Sequence, residues 1–191
     1  MILEGIVTSR NADDSVNVSP MGPRVDDEML RFVLRPFQTS TTYKNLKRTG
    51  LGVLHVTDNV EMMAAAAIGK LTPPNLLDSS GLILADCCRW YQFKVTRLDD
   101  SNERTTIDCE VVQAGRVREF FGLNRGKYAV IEAAILATRI GIIPDAAITY
   151  PLKELSILVD KTGGESERRA FDQLQQFITD KIESRQREAT S

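Results

Sequence analysis

The chain has 191 residues, 42% hydrophobic and 26% charged, a composition that sustains a folded core and excludes wholesale disorder. Its formal charge of −2 comes from 24 basic and 26 acidic side chains interspersed along the chain, so no electrostatic footprint for nucleic-acid phosphates is present. Three cysteines and one histidine are too few for a disulfide framework or a zinc cage, and neither a basic leader nor an apolar run of roughly 20 residues appears, so a soluble protein of the reducing cytoplasm is expected, with no membrane contact.

Residues 2–8 are apolar and β-branched and run into a polar stretch at 9–14, which reads as a strand and a turn. A second strand starts near Ser15. Its continuation through Pro20-Met21-Gly22-Pro23 cannot stay in a regular ladder, because proline lacks the backbone donor, so this strand bulges or lies at an edge. Residues 29–36 read as a third strand stopped by Pro36. The hydroxyl residues at 39–42 suit a helix N-cap and Gly50 a C-cap, which bounds a short helix. A strand over 51–57 follows, then a helix over 61–68 and a break at Pro73-Pro74. Two strands at 90–98 and 105–112 form a hairpin around Asp99-Asp100-Ser101-Asn102. Val130, Ile131, Ala134, Ile135, Thr138 and Ile142 recur at helical spacing, as do Phe171, Leu174, Phe177, Ile178 and Ile182. The order, strands first and helices last, predicts an α+β fold: a barrel domain over 1–125 and a helical extension over 126–191.

Chemistry concentrates where the third strand meets the first helix. Unpaired amides at a helix N-terminus point toward an anion, Ser40, Thr41 and Thr42 add hydroxyls, and Arg35 adds fixed charge, with Lys44 in reach. The plainer assignment is a hydroxyl that caps the helix beside a surface cation. Arg125 and Lys127 flank Gly126 at another helix start and suit a phosphate or an acidic substrate, or simply solvent. His55, inside a strand, reads as a satisfied core imidazole, Cys87-Cys88 as a strand pair instead of a redox centre, and Trp90, Tyr91 and Phe93 as core. Glu132 either faces solvent or pairs with Arg139.

The segment Ser40-Thr41-Thr42-Tyr43-Lys44-Asn45-Leu46, preceded by Asn17-Val18-Ser19-Pro20-Met21-Gly22, resembles the FMN-binding split β-barrels of the flavin-reductase superfamily. The whole chain is further similar to an uncharacterised archaeal and bacterial family associated with tetrahydromethanopterin-linked one-carbon metabolism, with Asn124-Arg125-Gly126-Lys127 fitting its helical part. The resemblance implies an α+β split barrel with a C-terminal helical subdomain and FMN as cofactor. It places the phosphate on the turn of Ser40, Thr41 and Thr42, ordered by Asn45, and the ring along Asn17, Ser19, Met21 and Gly22; Arg35, by its fixed charge, and Arg125, by its place at a helix start, are further candidate contacts to the cofactor. It also implies a homodimer with the flavin near the subunit boundary. Two functions follow as expectations: a flavin-dependent oxidoreductase acting on a small molecule, or a non-catalytic binder of a flavin or related ring, extending to a structural partner in a one-carbon assembly. No Gly-x-Gly-x-x-Gly fingerprint provides a separate nicotinamide site.

Overall fold

The computed structural model describes residues 1–71, 75–77 and 81–190, with side chains through 188; the Pro73-Pro74 break lies outside the described residues. Two compact units emerge: Met1–Asp58 with Thr72–Phe120, and Asn59–Leu71 with Phe121–Ser191. The division differs from a single cut after residue 125, because a helix from mid-sequence clusters with the C-terminal ones.

The first unit holds β1 (Gly5–Arg10), β2 (Val16–Met21), β3 (Arg24–Val25), β4 (Arg31–Leu34), α1 (Thr41–Thr49), β5 (Leu51–Val56), β6 (Arg89–Asp99) and β7 (Thr106–Arg116). All strand neighbours are antiparallel, in the order β2-β1-β5-β6-β7-β4-β3. The two edge strands, β2 and β3, are consecutive in the chain and parted only by Gly22-Pro23. Ile2 bridges Arg24, the Leu3 amide donates to the Pro23 carbonyl at 3.1 Å and the Val25 amide to that of Met1 at 3.0 Å, so the sheet curls back on its own edge. The interruption predicted by the two prolines is therefore the seam of a split barrel.

Inside the curl, Val7, Phe32, Leu34, Leu46, Leu54, Phe93 and Ile107 form the core, with Phe32 and Phe93 edge to face at 5.0 Å. Tyr91 and Phe93 are buried there as expected; His55 is buried too, but outside that cluster, its Nδ1 3.2 Å from the Ile6 carbonyl while its Nε2 accepts from the Leu84 amide. The third strand is shorter than its pattern predicts: Met29 adopts φ 56°, a turn conformation, and pairing begins only at Arg31.

The second unit comprises α2 (Val60–Ala67), α3 (Arg125–Ala137), α4 (Ala146–Thr162) and α5 (Glu165–Thr190). Asn59 and Asn124 cap α2 and α3, accepting from the amides of Met62 and Lys127. Ala129, Ala133, Ala134 and Ala137 give α3 a small-residue face that buries against Val60, Ile148, Leu174 and Ile178. Ile142, expected on the same helix, lies beyond it and is exposed, because α3 ends at Ala137 and Gly141 turns the chain at φ 83°. No described helix is long and apolar enough to cross a membrane.

Candidate functional site

At the end of β4 the chain does not leave the sheet at once. Phe37 bridges Arg104, the Gln38 amide donates to the Glu103 carbonyl at 2.9 Å, and the Thr105 hydroxyl donates to the Pro36 carbonyl at 2.8 Å. A tight turn follows, closed by the Ser40 amide on the Phe37 carbonyl at 2.9 Å, and α1 begins. Ser40 is the N-cap: its Oγ accepts from the Tyr43 amide at 3.2 Å and keeps its own proton to donate outward. The amides of Thr41 and Thr42 precede the first intrahelical bond and point out of the helix end. Thr41 is exposed. Arg35 is exposed too, and its side chain has no hydrogen bond or ion pair among the described residues.

The neighbouring polar residues do a different job. Asn45 is buried, its Nδ2 donating to Ser9 Oγ at 3.1 Å and Asn11 Oδ1 at 2.7 Å. Asn17 reaches from β2 to donate to Ser9 Oγ at 3.2 Å and to the buried Thr42 Oγ1 at 3.1 Å. This network sews the first turn of α1 onto β1 and β2. A second tie runs to the β6–β7 hairpin, where the Tyr43 hydroxyl donates to Asp100 Oδ2 at 2.6 Å and Lys47 Nζ reaches the same oxygen at 2.7 Å. Lys47 holds its proton more tightly, chiefly through the hydrogen bond to Asp100, whose carboxyl is correspondingly lowered by Lys47 and then Tyr43.

The expected site residues thus divide. Ser40 and Thr41 stand at the open turn, Arg35 lies exposed ahead of it, just past β4, and Thr42, Asn45 and Asn17 hold the turn in shape. On β2, Ser19 is half-buried opposite Val7, and Met21 packs against the barrel core, on the inward alternation it shares with Asn17. Gly22 sits on the other face, where an added Cβ would lie 3.1 Å from Ile2 Cγ2 and 3.5 Å from a Glu4 oxygen. Arg125 is the exposed first residue of α3, in the helical unit, and Glu132 is exposed. Sequence reading missed Ser9 and Asn11, which carry no local signal and matter only because β1 pairs with β2. It also missed Arg104, stacked 5.3 Å over the Phe37 ring with its Nε donating to the Arg35 carbonyl at 3.2 Å.

The vicinal thiols, expected as a strand pair, stand just ahead of β6. Cys87, Cys88 and Cys109 are free and buried. Burial, with Cys88 adding to it, pushes Cys87 up to about 11, and burial raises Cys88 although Arg118 Nη1 donates to its sulfur at 3.4 Å. Among the described residues no group of three or more metal-ligating side chains converges.

Comparison with known proteins bears on this geometry. Family models of the N-terminal domain and of the following domain of a protein of unknown function, DUF447, match residues 3–118 and 124–176. No curated protein matches. The fold is similar to that of an FMN-bound DUF447 protein from Methanosarcina mazei, with TM-score 0.79 and 22% identity over 92% of this chain and 94% of that one. It is also similar to an FMN-binding protein from Thermus thermophilus, crystallised with cyclohexenone, with TM-score 0.51 and 13% identity over 60% of this chain and 70% of that one. The styrene monooxygenase flavin reductase of Pseudomonas putida S12 gives TM-score 0.52 and 11% identity over 62% and 82%. At these identities the likeness is one of architecture: an α+β split barrel with C-terminal helices, of the kind found in FMN-binding, flavin-reductase-like proteins.

Proposed function

The chain belongs to the DUF447 family, and we propose that it binds FMN non-covalently and serves as a flavin-dependent oxidoreductase. One observation carries the reading: the β4-to-α1 turn presents the Thr41 and Thr42 amides, the Ser40 and Thr41 hydroxyls and the unpaired Arg35, the donor set a phosphate monoester requires. That the M. mazei relative is FMN-bound supports FMN as the owner of that phosphate.

Bound flavin supplies hydride or electron transfer. The chain's own residues bind and orient it: Arg35, Ser40 and Thr41 hold the phosphate, Asn17, Thr42 and Asn45 keep the turn rigid, and the backbone of 17–22 runs along the ring edge. Two copies of the chain form the working unit, and a nicotinamide donor docks over the flavin without a Rossmann site. The link to one-carbon metabolism rests on the sequence resemblance alone.

Purified protein mixed with excess FMN and desalted should stay yellow and should quench flavin fluorescence in titration. A colourless protein that leaves the fluorescence unchanged overturns the reading. NADH or NADPH should then be oxidised faster than by the same concentration of free FMN; an unchanged rate reduces the proposal to binding without turnover.

A further inference from the structure

Over the outer face of β3, β4 and β7 lies a cavity of about 640 Å³, within the range of small-ligand sites. Neither the phosphate turn nor the 17–22 segment expected along the flavin lines it. Its floor is one row of side chains in register: Arg24 on β3, Val33 on β4 and Asp108 on β7, the last two half-buried. Arg31 adds a second guanidinium two residues before Val33 and on the same side of β4.

The charges on this face are sorted. Glu110 pairs with Lys94 at 3.0 Å, and Asp26 accepts from the Leu30 and Arg31 amides, each at 2.9 Å. Arg24, Arg31 and the Asp108 carboxylate have no ion pair or side-chain hydrogen bond among the described residues, and Arg97, opposite Asp108 on β6, forms none with it. Side chains stand roughly perpendicular to a sheet whose strands lie about 4.8 Å apart, so Arg24 and Asp108 rise about 10 Å from each other, with Val33 between them. Two unpaired cations thus mark one end of the cavity and one unpaired carboxylate the other, across an apolar floor.

We propose that this cavity binds a short amino acid, its carboxylate held by Arg24 and Arg31, its ammonium by Asp108 and its methylene chain lying over Val33. Two arginines alone would take any small anion; a carboxylate across from them selects an anion that also carries a cationic N–H donor. A charge-assisted hydrogen bond of about 2.8 Å at either end leaves about 4 Å between the ligand's charged groups, the reach of a chain of two or three methylenes. The site is separate from the flavin turn and does not depend on the FMN reading.

Saturation-transfer NMR with β-alanine, γ-aminobutyrate, butyrate and propylamine tests this on the full chain, with each variant checked for folding by circular dichroism. The wild type should bind the two amino acids and should bind butyrate and propylamine more weakly by on the order of tenfold or more. Asp108→Asn should reduce γ-aminobutyrate to the level of butyrate, Arg24→Ala/Arg31→Ala should abolish binding of both, and Arg24→Lys/Arg31→Lys should recover part of it, while FMN affinity stays at the wild-type value in all three. The proposal is overturned if neither amino acid binds at millimolar concentration, if butyrate binds as tightly as γ-aminobutyrate, if the alanine variant binds γ-aminobutyrate as the wild type does, or if the variants lose FMN instead. A wild type that binds the amino acids but no FMN overturns the FMN reading and leaves this site standing.

Discussion

Asn45 is buried in the middle of α1 and spends its amide protons on Ser9 of β1 and on Asn11 just past that strand's end. Replacing it with leucine removes one of the two donors to the buried Ser9 hydroxyl and the donor to the half-buried Asn11 side-chain carbonyl, which costs about 1–3 kcal/mol. Urea denaturation of Asn45→Leu should show that loss, with a weakened FMN affinity at native conditions because the turn loses its anchor; unchanged stability would mean that the network is ornamental. The thiols give a second expectation. With burial raising all three, Ellman's reagent should label the native protein slowly at neutral pH and all 3 cysteines rapidly in denaturant. Fast native labelling of Cys87 or Cys88 would restore a redox role for the pair. The candidate turn was legible because Ser40, Thr41 and Thr42 combine a local N-cap signal with local hydroxyls. The division between Thr41, which is open, and Thr42, which is committed to Asn17, was not, because it depends on a β2 residue brought in by sheet pairing.

Among the elements, α3 and the end of α4 approach at backbone distance: a Cβ on Gly126 would stand 2.8 Å from Gly163 Cα and 2.9 Å from its nitrogen. Gly126→Ala should therefore destabilise the helical unit by about 1–3 kcal/mol, read as a lowered midpoint in thermal melts; a neutral effect would show that the two helix ends part readily. At the start of α5, burial by itself pushes Glu167 up, but Lys127 at 3.1 Å, the Gly164 amide at 2.8 Å and Ser166 outweigh it, and the carboxyl is held below its ordinary value of 4.5. Because the folded form prefers the carboxylate, its stabilisation is complete above that ordinary value and fades as the pH falls through the depressed one. Glu167→Gln should lower the melting temperature near neutral pH and flatten its decline on acidification below about pH 4.5. A variant with the wild-type acid profile would contradict this. The capped helix ending at Gly50 was plain in the chain, because Ser40 and Gly50 mark its ends locally and Gly50 does adopt φ 67°. By contrast α4 carries Pro151 inside it, which removes a helical donor and masks the spacing of Ile148, Leu152 and Val159. The two-residue β3 is too short to have a pattern at all.

For the molecule as a whole, the order of strands and helices sufficed for the fold class, since only a curled antiparallel sheet accommodates a strand broken by Gly22-Pro23 whose two halves become opposite edges. Its pairing register could not be read from the chain, being a set of contacts between residues far apart in sequence. The cavity on the outer face follows from that register alone. A homodimer should appear in light scattering after size exclusion, and a clean monomer at micromolar concentration would contradict the proposed working unit. Flavin binding by this chain depends first on the phosphate at the β4-to-α1 turn, and the sharpest measurement is the ratio of FMN to riboflavin affinity in the wild type and in Arg35→Ala. The wild type should favour FMN by on the order of tenfold or more, and the variant should lose most of this preference while binding riboflavin as before. Equal affinity for the two flavins in the wild type, or a preference that survives the loss of Arg35, would contradict it.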